Sequence, residues 1–336
     1  MLDYATLIWV AGAAFVCFFV EKLTLAYSLK HRLLSEPNAR SSHSRPTPSV
    51  GGIAIVIPVL AYCLGNAESD EHLLVIFFAV LLLAISGLWD DLRPLSSRLR
   101  FALHIFVVVF SLFFLHLEFP GQGAEGTEPM ATAWIYLLAL GMLWCINLYN
   151  FMDGIDGLAA AQCLVYCVAC ILLADELPPV IGGLIWVLGS CALVFLYFNW
   201  PPASIFMGDV GSGAMGYLIV IIALLLDYQE VLPIVASMIL FSVFWADASY
   251  TLVRRIISGQ AFTSAHRSHL YQKMAIRFGH KWVSTVFCLY ALLALLPLAG
   301  GAIHYPSWGI IALGLACAPV LVLCVWYRAG LPDQSS

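Results

Sequence analysis

Long uncharged apolar runs leave this chain few folds to choose from. Leu73–Leu88 and Ile181–Phe198 each pass without one Asp, Glu, Lys or Arg. Of 336 residues, 62% are hydrophobic and 10% charged, whereas a soluble domain carries about 25% charged residues. In hydrocarbon a backbone must satisfy its own hydrogen bonds, which leaves helices or a closed barrel. Barrel strands alternate apolar and polar residues. The runs here are continuous, so the expected fold class is all-α, a polytopic integral membrane protein.

Counting runs of sufficient length gives about eleven transmembrane helices. They lie near 5–27, 50–65, 72–89, 101–117, 131–150, 157–174, 180–198, 213–227, 232–253, 282–300 and 307–327. The second and eighth are short, which predicts tilt or burial among neighbours. The first is read as a retained helix rather than a signal peptide, because no basic segment precedes it. The 10 cysteines sit inside apolar runs and read as small apolar filler, with no extracellular disulfide framework. No soluble domain or internal repeat is visible, so residues 1–336 are expected to form one membrane-embedded unit.

Lys and Arg set the expected orientation. With the N-terminus outside, every basic residue falls on the cytoplasmic side or at a cytoplasmic helix end, from Lys22 through Arg328. The outer segments then hold only acids, among them Glu68, Asp70, Asp175 and Glu230. The C-terminus is expected inside. Inner loops fall near 28–50, 90–100, 150–157, 199–213 and 254–281.

The same assignment puts five polar clusters on one face. The first loop carries Arg40, His43 and Arg45 among prolines and glycines. Those side chains can meet phosphate, although taken alone the loop reads better as an ordinary positive-inside loop touching lipid headgroups. The second begins with Asp90-Asp91, adjacent carboxylates that a divalent cation or a basic partner such as Arg93 or Arg98 would relieve. The third reads Asn147-Leu-Tyr-Asn150-Phe-Met-Asp153-Gly-Ile-Asp156-Gly157. Asn147 and Asn150 share a helix face, and so many hard oxygen donors suit Mg²⁺ or Mn²⁺. Helix capping accounts for one of these polar residues but hardly for all four. The fourth places Asp209 among Gly208, Gly211 and Gly213 at a helix start, where backbone N–H groups can reach phosphate and the carboxylate can cap the helix. The fifth holds His266-Arg267-Ser-His269, suited to phosphate or uracil recognition.

These stretches resemble the polyprenyl-phosphate N-acetylhexosamine-1-phosphate transferase superfamily, also called glycosyltransferase family 4. The resemblance rests on Arg40-x-x-His43-x-x-Pro46-x-Pro48-x-x-Gly51-Gly52, on Asp90-Asp91 and on Asn147-x-x-Asn150-x-x-Asp153-Gly154-x-Asp156-Gly157. It extends through Phe206-Met207-Gly208-Asp209-x-Gly211-Ser212 and the His266/His269 loop. The run of three histidines found in the lipid I synthases is missing. The fifth loop looks more like the O-antigen-initiating branch, which an eleventh helix also suits.

The resemblance implies a reaction. Undecaprenyl phosphate attacks the β-phosphorus of a UDP-N-acetyl sugar, UMP leaves, and a lipid-linked sugar diphosphate stays in the bacterial inner membrane, with the site on its cytoplasmic face. It implies Asp209 and Asn150 as Mg²⁺ ligands, with Mn²⁺ a substitute. Asp90, Asp91, Asp153 and Asp156 are implied as catalytic. Arg40, His43, Arg45, Asn147, His266, Arg267 and His269 are the implied substrate-binding residues. GlcNAc, FucNAc and QuiNAc remain open as sugars. Direct attack by the lipid phosphate is the preferred mechanism, with an aspartyl intermediate the alternative, and a homodimer is left open. The expected partners are the UDP-sugar, the lipid phosphate and membrane lipid, not nucleic acid. The rival reading is a secondary transporter, but its polar site would belong near the bilayer midplane.

Overall fold

The computed structural model describes residues 3–36, 45–115, 129–260 and 266–332, with side chains omitted for 129–132. Arg40 and His43 lie outside the described residues. Helices account for nearly all the regular structure. In order they are α1 (Tyr4–His31), α2 (Ile53–Gly65), α3 (His72–Leu92), α4 (Ser97–Phe114), α5 (Pro129–Met152), α6 (Leu158–Leu173) and α7 (Pro179–Asn199). There follow α8 (Gly208–Tyr228), α9 (Ile234–Leu240), α10 (Ser242–Ile257), α11 (Leu270–Phe278), α12 (His280–Tyr290), α13 (Leu296–His304) and α14 (Gly309–Trp326). A π-helical turn joins α12 to α13. A two-residue antiparallel pair, β1 (Leu34–Ser35) with β2 (Thr47–Pro48), closes the first loop.

Among the described residues, 8 helices are long and apolar enough to cross a membrane. The bent pair α9–α10 is apolar enough for a broken span or a re-entrant loop, and two shorter apolar helices, α2 and α6, hold the second and sixth positions. Every run in the sequence is therefore helical.

Two boundaries differ from expectation. The run 232–253 is not one helix: α9 and α10 meet at 75°. No glycine or proline marks the break. Its freed carbonyls are taken up by other side chains: Gln162 of α6 donates to Leu240 O at 2.9 Å, and Trp245 Nε1 donates to Met238 O at 2.9 Å. A backbone break in a membrane helix survives where such donors are at hand. The eighth helix, expected from 213 and short, starts at Gly208 and has 21 residues; the short ones are α2, as expected, with 13 residues, and α6, with 16. The fifth loop is also partly ordered, because α11 lies within it.

The buried centre is α8. It packs on α3 and α5 along their lengths and on α2 near its start. Its first turns are small, Gly208 to Gly216 with Ser212 and Ala214 between, so neighbouring backbones come close. Gly87 of α3 faces the Asp209 backbone with no room for a Cβ. Gly208, at φ 73°, lies against the Ser49 carbonyl. The chain at 48–52 is stitched to this turn: Phe206 N donates to Pro48 O at 2.8 Å, Gly51 N to Phe206 O at 2.9 Å, and Gly52 N to Met207 O at 2.8 Å. The polar ends of α3, α5 and α8 are thereby brought to one place.

Candidate active site

At that place lies a cavity of about 450 Å³. Its wall includes Asp90 and Asp91 from α3, Asn150 from α5, Asp153 to Asp156 from the α5–α6 turn, Gly208 and Asp209 from α8, and Gln272 and His280 from α11 and α12. Ser35 and Ser49 of the first loop, with Asn199 and Phe206, complete it. Elements widely separated in sequence thus contribute carboxylates to one space.

Asp91 has a structural task. Its Oδ1 accepts the Asp209 backbone N–H at 2.9 Å and its Oδ2 accepts that of Val210 at 3.0 Å. The first N–H groups of a helix have no partner inside it, and here a carboxylate of another helix supplies one. The cap of α8 is therefore Asp91, with Asp209 inside the first turn. This explains why α8 begins at Gly208.

Asp90 accepts the Leu95 N–H at 2.6 Å, and Arg100 Nη1 donates to it at 2.7 Å. The same Arg100 nitrogen lies 3.1 Å from Asp209 Oδ2. On its other side Asp209 Oδ1 accepts from Asn150 Nδ2 at 2.5 Å, and that amide also donates to Ser212 Oγ at 2.8 Å. Asp209 is thus flanked by α4 and α5. Sequence reasoning counted Arg100 only as an inside charge; its position beside two carboxylates depends on the register of α4.

Helix α5 stops at Met152, and the turn after it exposes Asp153 and Asp156 to the cavity. Gly157 takes φ 77°, which favours glycine, and its N–H donates to Asn199 Oδ1 at 2.9 Å. Burial pushes the Asp153 carboxyl well above the usual carboxylate range, and the charges of Asp209, Asp91 and Asp156 push it further. Asp156 Oδ2 accepts the Ala203 N–H at 3.0 Å, and its Oδ1 lies 3.1 Å from His280 Nδ1. Nothing in the local sequence around His280 marked it as part of a site.

The remaining candidates stand apart from the cavity wall. Asn147 donates to Leu143 O at 2.7 Å and meets His104 Nδ1 at 3.2 Å. Arg45 is exposed. His266 stacks on His269 with centroids 5.0 Å apart, and His269 stacks in turn on Phe151 and Tyr271. Burial, with His269 and Arg255 nearby, pushes His266 down to about 3. Asp247, buried in α10, holds α11 by accepting the N–H groups of Leu270 at 2.9 Å and Tyr271 at 3.1 Å. Gln272 of α11 reaches the cavity wall, so the histidine stack adjoins the site through that helix.

As for a cation, the donors are all hard oxygens, which suits Mg²⁺ or Mn²⁺. Carboxylates crowded enough to raise Asp153 would gain from a positive charge between them. Among the described residues no three His, Cys, Asp or Glu side chains already form a metal cluster; Arg100 sits between Asp90 and Asp209 instead.

The electrostatics predict an opposition between stability and activity at Asp153. Its folded-state pKa lies above its unfolded value, so above about pH 4 the ionised form opposes folding, increasingly as pH rises towards the folded value. Asp153→Asn removes that cost. The variant should melt higher than wild type at pH 8, with a smaller gain at pH 5, and should lose most turnover. Thermal unfolding of the purified protein at the two pH values checks this. A lower melting temperature at pH 8 would contradict the assignment.

Comparison with known proteins agrees with the geometry. A relative in Bacillus subtilis (strain 168), named a probable undecaprenyl-phosphate N-acetylglucosaminyl 1-phosphate transferase, is 28% identical over 298 residues, 82% of this chain and 81% of the relative. A decaprenyl-phosphate N-acetylglucosaminephosphotransferase of Mycolicibacterium smegmatis is 27% identical over 358 aligned positions, covering 93% and 86%. A phospho-N-acetylmuramoyl-pentapeptide-transferase of Acetivibrio thermocellus is 30% identical over 208 residues, covering 57% and 63%. Residues 73–227, which include Asp90, Asp91, Asn150, Asp153, Asp156 and Asp209, match the profile of glycosyl transferase family 4. Over that stretch, which carries the carboxylates of the cavity, the chain is similar to glycosyl transferase family 4.

Proposed function

We propose that this protein moves an N-acetylated sugar 1-phosphate from a UDP-sugar to undecaprenyl phosphate, releasing UMP. The observation that supports this most is the single cavity at the ends of α3, α5 and α8, where five aspartates converge. Both substrates are phosphates, so the chemistry is mainly positioning and charge neutralisation. Two of the named relatives are named for transfer of N-acetylglucosamine phosphate to undecaprenyl or decaprenyl phosphate, which makes UDP-GlcNAc the first donor to try.

In this reading Asp209 and Asn150, its amide turned to present oxygen, hold Mg²⁺ or Mn²⁺. The ion neutralises phosphate charge when bound. Asp91 keeps the α8 terminus, and so Asp209, in place. Asp90 fixes Arg100 beside Asp209, within reach of an incoming phosphate. With both Asp91 oxygens engaged by N–H groups and Asp90 engaged by Arg100 and Leu95, direct attack by the lipid phosphate is preferred to an aspartyl intermediate. Arg40, His43, Arg45, Arg267 and His269 are assigned to substrate binding. The site faces the cytoplasm at the inner membrane, and the product begins a surface polysaccharide of O-antigen type.

The test is a panel of UDP-N-acetyl sugars with undecaprenyl phosphate and Mg²⁺, read as UMP release by the purified protein. One donor should support turnover that EDTA abolishes and Mg²⁺ restores. Silence with every donor would overturn the proposal.

A further inference from the structure

The cavity poses a charge problem. Of the described residues in its wall five are aspartates, none is Lys or Arg, and His280 is the single side chain able to carry positive charge. A sugar-nucleotide diphosphate must nonetheless enter it. Arg100 is already shared by Asp90 and Asp209, at the α3–α8 end. The histidines of the fifth loop lie off the wall, with His266 held neutral at ordinary pH by burial.

His280 is a built feature rather than a stray surface histidine. It is the first residue of α12, and its side chain is 18% exposed. Its Nδ1 lies 3.1 Å from Asp156 Oδ1. The Asp156 N–H also approaches Nδ1, at 3.4 Å; the shorter carboxylate contact identifies Nδ1 as the donor. Asp156 is itself fixed from two further directions. Its Oδ2 accepts the Ala203 N–H at 3.0 Å, and its backbone carbonyl accepts from Ser284 Oγ at 2.8 Å, one turn along α12 from His280. Carboxylate and imidazole are thus anchored to each other through α12 and the α7–α8 loop.

We infer that His280, oriented by Asp156, is a donor-binding residue that holds the diphosphate of the nucleotide sugar in the cavity. Asp156 is then a positioning residue. This assignment rests on the transferase reading above and adds to it a specific contact for the soluble substrate.

The experiment compares wild type with His280→Ala, His280→Gln and Asp156→Asn, using purified full-length protein in nanodiscs, UDP-GlcNAc or whichever donor the panel identifies, and undecaprenyl phosphate. Losing a hydrogen bond to a charged phosphate raises the donor KM roughly 10–100-fold. His280→Ala should show that rise, with kcat changed less than about threefold and the KM for undecaprenyl phosphate unaltered. His280→Gln, which keeps a donor, should recover part of the affinity, and Asp156→Asn should fall between. Calorimetric titration with UDP should weaken in the same order. An unchanged donor KM, or an equal rise in both KM values, would overturn the role of His280 while leaving the transferase reading intact. A wild type inactive with every donor would overturn the transferase reading itself. If His280→Ala fails to fold, the Gln variant's KM ratio and UDP titration decide.

Discussion

Asp209→Asn should lower turnover by about 10²–10³-fold or more while the protein still folds and inserts. Asp209 is the carboxylate on which three helices converge: it sits in the first turn of α8, Asn150 of α5 donates to Oδ1, and Arg100 of α4 reaches Oδ2. Asn keeps the volume and can still accept from one of these partners, so the packing around α8 survives. The negative charge is lost, and with it the strongest candidate ligand for a divalent cation. The measurement is UMP release across a Mg²⁺ titration, alongside a melting curve. Near-normal turnover at saturating Mg²⁺ would remove Asp209 from the chemistry.

Asp91→Ala should damage both stability and rate. Removing the carboxylate leaves the N–H groups of Asp209 and Val210 without their acceptor, at about 1–3 kcal/mol for each unsatisfied group. The melting temperature should fall by roughly 2–4 °C per kcal/mol lost. The start of α8 carries Asp209, and a displacement of about 1 Å there is worth about 10²-fold in rate. Asp91→Asn presents an oxygen to one N–H and should retain more stability than Ala. A variant with unchanged melting temperature and full turnover would show that α8 is capped by other means. The paired losses separate Asp91 from Asp209, whose replacement should cost rate alone.

What the sequence made legible follows from which interactions are local. Every apolar run is helical because run length and the demand for internal hydrogen bonds are local properties. The acids of the Asn147–Gly157 stretch were legible as a cluster because they are adjacent in sequence. The start of α8 was not, since its cap is Asp91, 118 positions away. The bend between α9 and α10 was likewise hidden: its acceptors are satisfied in part by Gln162, on a different helix. Arg100 and His280 look like ordinary loop-end residues until α4 and α12 are packed, and each then meets an aspartate of the cavity. Conversely, Asn147 shares a helix face with Asn150 but is spent on His104 and Leu143 O, a division that spacing alone does not reveal.

The account stands on transfer of a sugar together with its phosphate. The direct test is the fate of the β-phosphorus. Wild-type protein is given undecaprenyl phosphate, Mg²⁺ and a UDP-GlcNAc labelled with ³²P in the β position, or the equivalent label in the donor identified by the panel. The label should move into the lipid fraction as sugar is transferred, and unlabelled UMP should accumulate in equal amount. Sugar appearing on the lipid while the label stays in solution as UDP would contradict it.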